Sequence, residues 1–148
     1  MRKRYALALF LLGSLSHGFA VAQTFQGDSI VESLSASPGD SLRGRAIVAS
    51  RQTGLCLLCH SGPFPEERFQ GNLAPELTVS AGLLSAPQLR ARIVNASRFN
   101  PGTIMPTYYK ADHLVRVAPK FVGQPILSEQ EIEDVVAFLV SLNNAKQQ

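Results

Sequence analysis

The sequence predicts an all-α domain built on three main helices. Apolar residues recur at helical spacing near the C-terminus behind a capping box, while alternating strand patterns are nearly absent. Size sets the limit: 148 residues suffice for one core of ordinary size and not for two with a linker. With 45% hydrophobic and only 17% charged residues, the chain is too apolar to be disordered.

Arg2, Lys3 and Arg4 open the chain, Tyr5 to Leu15 forms a short apolar run, and Ala20-Val21-Ala22 supplies the small-x-small pattern of a signal-peptidase site. The run is shorter than the roughly 20 residues that cross a bilayer. Residues 1–22 therefore read as a cleaved export signal, the location as periplasmic, and no stable membrane insertion is expected. Of the 14 basic residues three leave with the signal, and the 11 that remain face 11 acidic ones. A nominally neutral mature chain offers no surface for nucleic acid. A lipoprotein would need a cysteine directly after cleavage, and the first cysteine is Cys56.

Residues 23–37 show weak periodicity and read as an N-terminal arm, with the folded domain spanning 38–148. Pro38 is placed to open a helix of about residues 39–52, with Ala46, Ile47 and Ala49 among its buried candidates, and Gly54 stops it. From Ser61 to Pro75 the composition (Gly62, Pro63, Pro65, Gly71, Pro75) is that of a loop. Ser85 can cap a second helix over about 86–97, with Pro87 in its first turn and Leu89, Ile93 and Val94 facing inward. Ser128-Glu129-Gln130-Glu131 is a capping box before the third helix, whose apolar face is Ile132, Val135, Val136, Leu139 and Leu142.

Both cysteines fall in Cys56-Leu57-Leu58-Cys59-His60, the Cys-x-x-Cys-His sequence of c-type haem attachment. The spacing lets two thiols add to the two vinyl groups on one side of a porphyrin while the adjacent imidazole reaches the iron. One covalent haem c is expected, held by Cys56 and Cys59, with His60 as an axial iron ligand. A thioredoxin-like dithiol would need a strand before the motif and βαβ patterning around it. A zinc site would need further ligands, and after export only His60 and His113 remain as histidines.

Met1 leaves with the signal, so Met105 is the remaining methionine, in the turn-rich run Asn100-Pro101-Gly102-Thr103-Ile104-Met105-Pro106. Pro106 biases Met105 away from helical geometry, which suits a loop crossing the distal face of a haem. Met105 is the candidate second axial ligand and His113 its competitor. His/Met ligation raises the haem potential and leaves no open iron position, which points to electron transfer. Three helices, a haem motif directly after the first and a methionine loop before the last describe the small cytochrome c fold.

More specific still, several stretches resemble the SoxX family: Gly44-Arg45-Ala46-Ile47-Val48-Ala49, the motif continued through Ser61-Gly62-Pro63, and Phe69-Gln70-Gly71-Asn72-Leu73-Ala74-Pro75. So do Leu89-Arg90-Ala91-Arg92-Ile93-Val94, the methionine loop with Tyr108-Tyr109, and Pro125-Ile126-Leu127-Ser128 leading into Glu133-Asp134-Val135-Val136-Ala137-Phe138-Leu139. The resemblance covers about residues 38–142. It implies the small cytochrome subunit of the periplasmic SoxAX complex, which acts in thiosulfate oxidation as a haem-dependent L-cysteine S-thiosulfotransferase. It further implies a SoxA partner carrying the reactive site, a SoxYZ carrier whose cysteine receives thiosulfate, and a downstream cytochrome as electron acceptor. The resemblance gives the same roles to Cys56, Cys59, His60 and Met105. With both thiols used by the haem, no cysteine nucleophile is left, so no catalytic residue is expected in this chain.

Other residues keep two readings. Arg90, Arg92 and Arg98 are candidates for an anion or propionate contact, or for a solvated helix face. Tyr108 and Tyr109 are candidates for packing on the methionine loop or donating to a propionate, and equally for core or interface aromatics. Leu55, Leu57, Leu58, Phe64 and Phe69 are pocket packing or an apolar contact surface. The rival function is a free-standing soluble electron shuttle. Shuttles often steer partners with a ring of lysines, and the mature chain has only Lys110, Lys120 and Lys146.

Overall fold

Helices α1 (Ser41–Ala49) and α4 (Glu129–Asn144) cross at a glycine. A Cβ on Gly44 would stand 1.9 Å from the Asp134 carbonyl oxygen and 2.9 Å from Phe138 Cβ, so only glycine permits this approach. The structure is a computed structural model that describes residues 24–112 and 114–144. The expected export signal and His113 lie outside the described residues.

The C-terminal helix forms as its sequence dictates. Glu131 Oε2 accepts from the Ser128 N–H at 2.8 Å while the Glu131 N–H donates to Ser128 Oγ at 3.3 Å, closing the capping box. Its acidic first turn complements the helix dipole. All five expected apolar positions are buried, and Phe138 joins them. Against this helix pack α1, α2 (Leu77–Gly82) and α3 (Ala86–Val94).

Several local expectations need correction. Helix α1 is capped by Asp40, whose Oδ1 accepts from the Leu42 and Arg43 N–H groups at 2.9 Å, and it ends at Ala49, before the expected residue 52. Its inward face is Gly44 and Val48; Ala46 is exposed, because the Gly44 contact fixes which side of the helix meets α4. Helix α3 ends at Val94, and a 3₁₀ turn over Ala96–Arg98 replaces its last expected turn. Helix α2 has too few residues for a periodic signal.

Residues 24–37 include a short hairpin, β1 (Phe25–Gln26) paired antiparallel with β2 (Ser29–Ile30), Phe25 opposite Ile30. Ile30 is buried in the core. Arg98 lies over the Phe25 ring and Arg92 over Phe99, with the two rings 6.3 Å apart. Arg90 neither faces solvent nor lines the cavity: it is buried, with its Nε and Nη2 2.6 and 2.8 Å from the two Glu133 oxygens. Its Nη1 donates to the Ile30 carbonyl at 2.7 Å, and Glu133 accepts from the Leu34 N–H at 3.0 Å. One buried ion pair thus joins α3, α4 and the N-terminal segment.

Candidate haem site

The chain enters the cysteine motif through a tight corner. Gly54 packs on α1 so closely that a Cβ would stand 2.2 Å from the Ile47 carbonyl oxygen, and Leu55 adopts the left-handed region at φ 60°, uncommon for leucine. A 3₁₀ turn over Cys56–Leu58 follows, and the His60 N–H donates to the Cys56 carbonyl at 2.9 Å. Leu57 points into the core while Leu58 is exposed. The loop after the motif returns alongside it: the Gly71 N–H donates to Leu57 C=O, Ala74 to Cys59 C=O and Leu77 to Ser61 C=O, at 2.8 to 3.0 Å.

This return orients the histidine. His60 Nδ1 lies 2.6 Å from the Pro75 carbonyl oxygen. A carbonyl only accepts, so Nδ1 carries the proton and Nε2 keeps its lone pair for a metal. Pro75 was legible in the sequence as loop composition, with no signal that its carbonyl would serve this purpose.

A cavity of about 500 Å³ opens beside the motif, in the size range of cofactor pockets. Cys56, Cys59, His60 and Met105 all line it, together with Val48, Ile93, Leu127, Val135 and Leu139 from the helical frame. The sequence-predicted site residues therefore share one cavity although Met105 lies far along the chain from the motif. Cys56 and Cys59 are not joined in a disulfide. Among the described residues, no Asp, Glu, Lys or Arg lines the walls. Two thiols that can add to porphyrin vinyl groups, and an imidazole with a free lone pair and a thioether sulfur suited to iron, surround one mostly apolar cavity, so the residues present fit a haem.

A solved structure described as the crystal structure of SoxXA from P. pantotrophus is 36% identical to this chain, with a TM-score of 0.74, covering 81% of this chain and 93% of the matched one. The chain belongs to the SoxX family. No family model and no curated protein matches it. The SoxX-family chain has the small all-α cytochrome c fold, as its sequence predicts.

Burial pushes the Cys56 thiol up to about 11. A thiol protonated at neutral pH is a poor nucleophile, which weighs against a dithiol oxidoreductase. Tyr108 lines the same cavity, and burial, reinforced by neighbouring Cys56, pushes its phenol well above the ordinary value. Phe64 is core, its ring 5.6 Å from Phe138, whereas Phe69 is 82% exposed. Leu58, Leu73 and Ile104 line the cavity and are also exposed, so the rim is apolar. Among the described residues, no helix is long and apolar enough to cross a membrane.

Proposed function

We propose that this chain is the small monohaem cytochrome c subunit of a periplasmic SoxAX complex, exported by residues 1–22 and folded as a cytochrome domain over 38–148. The observation that carries the reading is the convergence of Cys56, Cys59, His60 and Met105 on one apolar cavity, in a chain similar to a solved SoxXA structure. Cys56 and Cys59 hold haem c by thioether bonds. His60, oriented by Pro75, would offer Nε2 to the haem iron, and Met105 would offer its sulfur. Val48, Ile93, Val135 and Leu139 keep water from the cavity, which favours the less charged state of a buried centre. When bound, the haem supplies a one-electron iron couple.

The sulfur chemistry belongs to the partner. A carrier cysteine of SoxYZ and the outer sulfur of thiosulfate form an S–S bond, releasing the thiol proton and two electrons. A SoxA-like subunit hosts that step, and this chain relays electrons towards a downstream cytochrome. The exposed rim of Leu58, Leu73 and Ile104 gives such a partner an apolar contact beside the cavity. Affinity capture of the C-terminally tagged chain from the periplasm of thiosulfate-grown cells tests the reading. A larger haem-bearing polypeptide with an additional cysteine should co-elute stoichiometrically. A chain that elutes alone with its haem and reduces several unrelated cytochromes is a free shuttle instead.

A further inference from the structure

We propose that Tyr108 is a positioning residue, a latch that ties the Met105 segment to the turn carrying Cys56 and sets how readily the methionine sulfur leaves the iron. The inference rests on the haem-ligand reading above and adds a residue that neither touches the iron nor belongs to the attachment motif.

Tyr108 follows Met105 by three positions and is 4% exposed. Its N–H donates to the Ile93 carbonyl at 3.1 Å, and its carbonyl accepts from the Ile126 and Leu127 N–H groups at 2.8 and 3.1 Å. Its hydroxyl donates to the Gly54 carbonyl at 2.6 Å. One side chain and its peptide groups thus join α3, the segment before α4 and the corner entering the cysteine motif. The hydrogen bonds of the loop ahead of it are local: Thr103 N–H to Asn100 C=O, Gly102 N–H to Asn100 Oδ1, and Met105 N–H to Thr103 Oγ1. The loop can therefore open up to Tyr108, and Tyr108 is where opening stops.

The hydroxyl matters more once haem is attached. In the free thiol form Cys56 Sγ also donates to Gly54 C=O, at 3.3 Å. A thioether has no hydrogen to give, which leaves Tyr108 as the side-chain donor to that carbonyl. Removing the hydroxyl then deprives the carbonyl of that donor and releases the link between the two haem-bearing segments.

Imidazole binding to the oxidised holoprotein reads the latch, because imidazole takes the iron only after Met105 leaves. Tyr108→Phe should keep its covalent haem and bind imidazole about tenfold faster, the scale of one buried hydrogen bond. Val136→Ala, a core variant away from the cavity, should bind at the wild-type rate despite its lower stability. Equal rates for Tyr108→Phe and wild type, or the same acceleration in Val136→Ala, would overturn the latch. Amide exchange on imidazole-bound wild type tests it without mutation: residues 103–105 should lose protection while Tyr108, Ile126 and Leu127 keep theirs. Equal loss on both sides of Tyr108 would sink the proposal. A wild type whose iron never shows a methionine signal would overturn the ligand reading of Met105 itself, a distinguishable failure.

Discussion

The α1–α4 face and the methionine loop of this molecule are held by different means. On the first, helices meet at a glycine and Arg43 chelates Asp134 with Nε and Nη2 at 2.7 and 2.8 Å, and the adjoining α3–α4 contact holds the buried bidentate Arg90–Glu133 pair. Asp134 also accepts from the Asp40 N–H and from Gln130. Around the second, residues 102–105 make local turns, Tyr108 supplies most of the long-range ties with Tyr109 adding one from its hydroxyl to Glu129, and Ile104, Leu114, Val115, Phe121 and Val122 lie exposed. A frame that fixes three of the four proposed haem-binding residues is separated from a loop that brings the fourth. The difference predicts that damage to the frame reads out as stability, and damage to the loop as spectrum and ligand exchange.

Five variants bear on that comparison. Glu133→Ala strands the buried Arg90 guanidinium and should cost about 3–5 kcal/mol in urea unfolding of the holoprotein. Replacing both partners (Arg90→Met with Glu133→Leu) should recover most of the loss; a double variant no better than the single would mean that the ties to Ile30 and Leu34 outweigh the pair. Gly44→Ala forces α1 off α4 and should cost about 1–3 kcal/mol by overpacking, and an unchanged unfolding midpoint would show that the crossing is looser than its geometry.

Asp134 supplies the pH dependence. The Arg43 guanidinium holds its carboxyl below the ordinary 3.8. A depressed folded-state value means this stabilisation is complete above about pH 3.8 and is lost as pH falls through the lower folded value. Acid unfolding should therefore steepen below that point in wild type, and Asp134→Asn should flatten it while lowering stability at neutral pH. Met105→Ala belongs to the other side of the comparison. It should barely move the unfolding midpoint, keep covalent haem, and lose the methionine–iron charge-transfer absorption with a fall in potential. An unchanged spectrum would assign the sixth position to another group.

The legible parts of this protein are those written in neighbouring residues. The capping box at Ser128 and the apolar stripe from Ile132 to Leu142 each occupy a few turns of chain and appear in the structure where the sequence puts them, and the compact Cys-x-x-Cys-His run at Cys56–His60 lines the cavity. On helix α1, Ile47 and Ala49 pack against the core as expected, but Ala46 is exposed and Val48 is the most buried, because these residues are all apolar and only contact with α4 selects among them. Arg90 looked like a surface residue for the same reason, since nothing local announces its partner on another helix.

The sequence by itself determined the fold class and the three main helices, and it placed the Cys-x-x-Cys-His motif, because capping, periodicity and motif spacing act over a handful of residues. Only the tertiary structure decided that Pro75 orients His60, that Arg90 closes on Glu133, and that Tyr108 reaches Gly54, across 15, 43 and 54 residues respectively. Such bonds depend on where whole segments come to rest, and that position is the outcome of burying all the apolar faces at once rather than of any one stretch of sequence.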